Sequence, residues 1–208
     1  MNKYSLLAVS LLVSMSSFAQ TKNLPAPNMQ RKTLSVMETF QQRKSVREYS
    51  DKMLSDQDLA DLLWAAQGKN RPDGHITAPT AMNRQEIRLY VFTAQDVSLY
   101  DPQTHTLSQV TTGDHRDIVA AGQNFTKTAP VVLVMVADMD KFGSTNQHAQ
   151  WMVAVDTGIV SENINLYCAA AGLCTVPRGS MNANAIRELL GLSENQIPLI
   201  NNPVGFPK

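Results

Sequence analysis

The stretch from Thr145 to Gly172 carries the longest helical pattern in the chain, and its apolar residues Trp151, Met152, Val155, Ile159, Ile164, Leu166 and Tyr167 fall on more than one face. A helix that is apolar on several sides must be enclosed by other elements, so the pattern predicts a central packed helix ending at Gly172. Asp156, Glu162, Asn163 and Asn165 within it argue against a bilayer span. Ala129 to Ala137 adds a second constraint, because a continuous apolar run rich in β-branched residues suits a central strand buried on both faces.

The flanking segments read as shorter elements. Leu34, Met37 and Phe40 recur at three-residue intervals and predict a helix over 33–42. Ser55 with Asp58 three residues on forms a capping box ahead of Leu59, Leu62, Leu63 and Ala66, and Gly68 ends that helix. Pro72, Asp73-Gly74 and Pro79 make residues 69–85 a loop. Ile87 to Phe92 alternates as a strand does, and Val97 to Val110, with Asp101-Pro102 inside it, reads as a surface hairpin. A strand near Thr175, a helix over 184–190 and an extended tail over 197–204 follow. Helices outnumber strands in a mixed order with no internal repeat, which predicts an α+β domain.

Composition narrows the function classes. The chain has 208 residues, 18 Lys and Arg against 18 Asp and Glu, and 43% hydrophobic residues. A chain of that length and composition buries a core without disulfide staples. Zero net charge argues against a nucleic-acid partner, whose phosphates call for a basic excess. His75, His105, His115 and His148 lack metal-ligand spacing, so no metal site is expected. Walker A, G-x-S-x-G and strand-linked G-x-G-x-x-G motifs are absent.

The first residues read as a leader. Lys3, the apolar run Leu6 to Met15 and the small-x-small triplet Ser17-Phe18-Ala19 fit a cleaved secretory signal over 1–19. The alternative is a membrane anchor, but the run is shorter than the roughly 20 residues a span needs. The mature protein is therefore expected to be exported, in a bacterium to the periplasm, with no membrane span left after cleavage. Pro25 and Pro27 make residues 20–32 a tether, and the domain proper runs over 33–208.

What remains is a set of separated polar clusters. Arg43, Ser45 and Arg47 alternate, so on extended backbone all three side chains fall on one side and can converge on an anion such as phosphate; the alternative is a solvated charge run. Pro79, Thr80, Ala81, Asn83 and Gln85 join small residues to carboxamides that can address the edge of a flat heteroaromatic ring, or simply form a loop. Glu162-Asn163 lies within the long helix, and Pro177, Arg178 and Gly179 form a turn that can present backbone amides. The last cluster is Gly205-Phe206-Pro207-Lys208.

In this order the clusters resemble the nitroreductase-like FMN-dependent oxidoreductase superfamily. The R-x-S-x-R start matches Arg43, Ser45 and Arg47. The P-S-A-x-N-x-Q loop matches Pro79 to Gln85, with Thr80 keeping the hydroxyl. Gly158, Glu162, Asn163 and Ala169 to Thr175 match the long-helix motif, with Cys174 in place of a glycine. Val176, Pro177 and Gly179 match V-P-x-G, and Gly205, Phe206 and Pro207 match the terminal G-Y-P. The resemblance implies a central mixed or antiparallel sheet flanked by helices, and an intertwined homodimer with FMN between its subunits. Arg43, Ser45, Arg47 and Lys208 would hold its phosphate and ribityl chain, while Pro79, Thr80, Ala81, Asn83, Gln85, Pro177, Arg178 and Gly179 would surround the ring.

The implied activity is electron transfer from a small-molecule donor, through FMN, to an electron-poor acceptor such as a nitroaromatic or quinone. Leu62 to Gly68, Tyr100 to Pro102 and Gly113 to Arg116 are also similar to the azoline-oxidising dehydrogenases, which points instead to oxidation of a substrate. A third reading is a flavin-binding module without turnover, favoured if Arg178 blocks the ring; a fourth is a structural envelope protein without flavin. Trp64 and Trp151 read as core before flavin-stacking residues. Cys168 and Cys174 read as buried thiols before a disulfide, given their placement across Gly172.

Overall fold

The computed structural model describes residues 20–208, so the leader read in residues 1–19 lies outside the described residues. A seven-stranded sheet forms the middle layer. Its strands are β1 (Thr21–Asn23), β2 (Ile87–Phe92), β3 (Asp96–Asp101), β4 (Thr106–Thr112), β5 (Val131–Asp138), β6 (Cys174–Thr175) and β7 (Gln196–Gly205). They pair in the order β1-β4-β3-β2-β5-β7-β6, and every pair is antiparallel.

β5 explains its own composition. Val131, Leu133, Met135 and Ala137 point to a layer formed by α2 (Asp56–Gln67) and α6 (Gln147–Ala171), whereas Val132, Val134 and Val136 point to the opposite face. There they meet Val119 of α3 (Arg116–Ala120) and Ile186 of α7 (Ala183–Leu190). With helices over both faces, an antiparallel strand has no solvent side and so loses the polar alternation it would otherwise show. The α+β architecture with one long helix is the one expected.

Local signals set the helix ends. Ser55 and Asp58 form the reciprocal capping box on α2. Gly172 closes α6 with φ +73°, a left-handed conformation that glycine adopts without steric cost. α1 spans Val36–Gln42, shorter than the expected 33–42, because Ser35 caps it and the Leu34 N–H is spent on the Ala170 carbonyl. The brief helices α3, α4 (Phe125–Thr128) and α5 (Met139–Phe142) are too short to have shown a period.

Two expectations change. Residues 20–32 are strapped to the fold rather than free: β1 pairs with β4, Lys22 meets Asp56 at 2.6 Å, and Arg31 reaches both Asp58 and the buried Asp61. Trp151, expected in the core, is 60% exposed, and Val36, Met37 and Phe40 on the apolar side of α1 are exposed as well. Cys168 and Cys174 are buried free thiols. Among the described residues, no helix is long and apolar enough to cross a membrane.

Candidate functional site

Arg43 caps the C-terminus of α1, and the chain then runs extended beside β6, with the Val46 N–H donating to the Thr175 carbonyl at 3.0 Å. Val46 packs inward, while Ser45 and Arg47 face solvent with Arg43 half-buried. Arg43, Arg47 and Lys208 take part in no ion pair among the described residues. Arg47 and Lys208 line one cavity of about 550 Å³ with Tyr49, Ser50, Phe125 and Thr128, and Glu48 and Asp51 stand at the same wall.

Buried amides fix the backbone behind this end. Asn202 donates to Asn165 of α6 at 3.1 Å and to the Thr175 hydroxyl at 3.3 Å, and accepts from Ser161 at 2.8 Å. Asn201 donates to the Arg178 and Ser180 carbonyls, both at 3.1 Å. These interruptions of an apolar strand were the available signal, since an Asn pair in a buried strand must find partners. Glu162 accepts from Asn165, and Asn163 donates to the Ala66 carbonyl, so this part of the long-helix motif ties elements together.

The turn at 177–179 divides its residues. Pro177 and Gly179 are exposed, and a Cβ added at Gly179 would meet nothing within 4 Å. Arg178 is only 7% exposed. Its guanidinium donates to Gln123, to the Val119 and Ala120 carbonyls and to Asn201, and its N–H pairs with the Asn201 carbonyl. Arg178 is thus a pin between the turn and α3, turned away from the exposed side of the turn. Its guanidinium is engaged within the chain and does not block that side.

The loop from Pro79 to Gln85 is built differently. Met82, Asn83 and Gln85 all adopt positive φ, near +54°, +54° and +50°, a conformation that costs non-glycine residues of order 1 to 3 kcal/mol each. Four hydrogen bonds hold it there. The Gln85 N–H donates to the Thr80 hydroxyl, the Ala81 N–H to Asp156, Lys141 to the Gln85 carbonyl, and the Gln85 side chain to the Gly74 carbonyl. Gln85 also donates to Asn83 Oδ1 at 3.1 Å and accepts from Gln103 at 3.0 Å. The Gln85 carboxamide is consumed internally, so it orients Asn83 and leaves the exposed Asn83 Nδ2 to face outward.

Beneath the loop lies a pair the sequence did not reveal. Glu86 is completely buried and no other residue donates to either carboxylate oxygen. Asp156, 3% exposed, stands beside it, and burial together with that neighbour pushes the Glu86 carboxyl up to about 7.

The two halves of the candidate site do not meet on one chain. Thr175, beside Ser45, pairs with Val204 opposite Val131, whereas Ile87, next to the loop, pairs with Ala137. Those positions are at opposite ends of β5, roughly 20 Å apart at strand rise.

A model of the nitroreductase family matches residues 40–206. A provisionally named nitroreductase of Methanocaldococcus jannaschii is 30% identical over 173 residues, 78% of this chain and 86% of that protein. The FMN reductase [NAD(P)H] of Bacillus subtilis is 27% identical over 187 residues, 83% of this chain and 66% of that protein. The crystal structure of a provisionally named nitroreductase from Ralstonia eutropha superposes with a TM-score of 0.84 at 32% identity, covering 99% of this chain and 96% of the other.

Proposed function

The chain belongs to the nitroreductase family, and from that premise we propose that it is an exported, FMN-dependent oxidoreductase acting as a homodimer on an electron-poor small molecule such as a nitroaromatic or quinone. The observation that carries the cofactor reading is the extended Arg43-Ser45-Arg47 segment, whose cations take part in no ion pair among the described residues and whose Arg47 lines one cavity with an equally uncommitted Lys208. Charge-assisted bonds from guanidinium groups suit a phosphate better than a neutral ligand.

FMN, when bound, supplies the two-electron chemistry of its isoalloxazine ring. The residues of this chain do the rest. Arg43, Ser45, Arg47 and Lys208 hold the phosphate. Gly179 lets the backbone of its turn come close to the ring, a reading favoured because its own packing leaves that space open. Asn83 offers its Nδ2 donor to a ring carbonyl, and Pro79, Thr80 and Ala81 form the adjoining wall.

A second copy completes the site in this reading. Trp151, Val155, Gly158 and Glu162 form one stripe along α6, continuing toward Met37 and Phe40 of α1. Nothing in the chain needs Gly158 to be glycine, since an added Cβ would meet nothing within 4 Å, and a glycine inside a helix costs about 1 kcal/mol. An approaching backbone gives that cost a purpose. It also lets the Pro79–Gln85 loop of one copy face the cation cluster of the other.

The relatives' names support the class of reaction, and the bulk of Arg178, which favoured a module without turnover, is turned inward. Export would separate the enzyme from NAD(P)H, which is scarce outside the cytoplasm, so the donor is another reductant or the substrate itself. The test is the absorption spectrum of residues 20–208 after incubation with FMN and gel filtration. Flavin bands co-eluting at about one per chain support the proposal; folded protein without flavin refutes it. Turnover of a quinone and a nitroaromatic with chemical reductants then distinguishes the acceptors.

A further inference from the structure

We propose that Glu86 is a positioning residue for the Pro79–Gln85 loop: it retains a proton, donates it in a hydrogen bond to Asp156, and thereby keeps Asp156 on the Ala81 amide. The proposal rests on the reading of that loop as a wall of the flavin site.

The geometry leaves little alternative for Glu86. It is 0% exposed, and no other residue donates to Oε1 or Oε2; its own backbone N–H favours the charged form there, and burial outweighs it. A buried carboxylate with no donor from another residue is strongly disfavoured, and two buried carboxylates side by side do not both ionise. A protonated Glu86 becomes a donor, and the acceptor beside it is Asp156. Asp156 Oδ2 in turn accepts from the Ala81 N–H at 2.8 Å. One shared proton therefore links the first residue after the loop, the long helix α6 and the backbone of the loop itself.

The other charged groups near Glu86 make no hydrogen bond to its carboxyl. Lys141 of α5 donates to the Gln85 carbonyl at 2.6 Å. Asp138, at the end of β5, accepts from Gln196 and Arg88 through its carboxylate, and its N–H donates to the Glu86 carbonyl. Arg84, on the same segment, is exposed. Loss of the proton would set two negative charges together under a loop that already holds three residues at positive φ, and the loop would leave its binding geometry.

The sign of the pH effect follows from the elevated Glu86 carboxyl. Its contribution to stability is complete below the ordinary value of 4.5 and is lost as pH rises through about 7.

The decisive experiment compares wild type with Glu86→Gln, which keeps the shape and supplies a permanent N–H donor. In wild type, FMN affinity should fall by up to about tenfold per pH unit above the titration of the pair, because only the protonated form is competent. The melting temperature of the flavin-free protein should fall between the ordinary value of 4.5 and about pH 7 and level off above it, and an infrared band of a protonated carboxyl should be present at pH 6. Glu86→Gln should flatten both pH dependences and remove that band. Should that variant fail to fold, Asp156→Asn serves, since its carboxamide bonds an ionised Glu86 and should also flatten the melting profile. Wild-type pH dependence retained in the folded variant overturns the proposal. Absence of FMN binding at every pH, with the expected melting profiles and band, overturns the flavin reading while upholding the proton pair.

Discussion

Two segments attributed to one cofactor are built on opposite principles. Residues 43–47 lie on ordinary extended backbone with their cations unpaired, so they offer charge and little shape. Residues 79–85 hold three left-handed residues under a mesh of hydrogen bonds, so they offer shape and little charge. Strained, over-determined backbone belongs where a ligand must be met in one geometry, whereas a phosphate is satisfied by cations that adjust to it. The first segment would supply most of the affinity and the second the orientation.

The largest effect should come from removing the charge. Replacing Arg43 and Arg47 together with Ala should weaken FMN binding by about 3 to 6 kcal/mol, at about 1.5 to 3 for each charge-assisted contact. Titration calorimetry at low and high salt checks this, and unchanged affinity would end the phosphate assignment. Next comes the requirement for two copies. Phe40→Asp removes from the proposed interface a large apolar group worth about 1.5 to 3 kcal/mol on burial. Light scattering should show monomers, and flavin should be lost with the dimer; a flavin-loaded monomer would show that one chain brings both segments together.

Smaller effects sharpen the contrast. Gln103→Ala removes the donor that fixes Gln85 and so Asn83, and should cost about 1 kcal/mol of FMN affinity without changing its salt dependence. A changed salt slope would mean that the loop contributes charge after all. Gly179→Val should alter stability by no more than about 0.5 kcal/mol, because the added atoms meet open space. Flavin reduction should nevertheless slow in that variant, and a normal rate measured by stopped-flow absorbance would remove the turn from the ring.

The same contrast governs what could be read from sequence. The extended course of residues 43–47 was legible because the three polar side chains are spaced two apart. β5 and α6 were legible because burial on several sides leaves no room for polar residues. The loop was legible as a motif but not as a conformation, since nothing in Met82-Asn83-Arg84-Gln85 announces positive φ. Glu86 carried no signal and Arg178 was read only as part of an exposed turn beside the ring; tertiary packing turns both inward. Trp151 and Phe40 failed in the opposite direction, since periodicity identifies an apolar face without saying whether the covering belongs to the same chain. β1 had no pattern of its own and is a strand because β4 offers an edge.

That strap also bears on the order of events during synthesis. β1 closes the β4 edge, which would otherwise expose unpaired backbone to another chain. Its partner for Thr21 is Ser108, so a chain emerging N-terminus first holds its opening strand unpartnered until the hairpin of β3 and β4 has followed. A contact so distant along the chain forms slowly. β1 is thus secured only once that hairpin is in place, while the pairings that need β7 wait for the last residues of the chain.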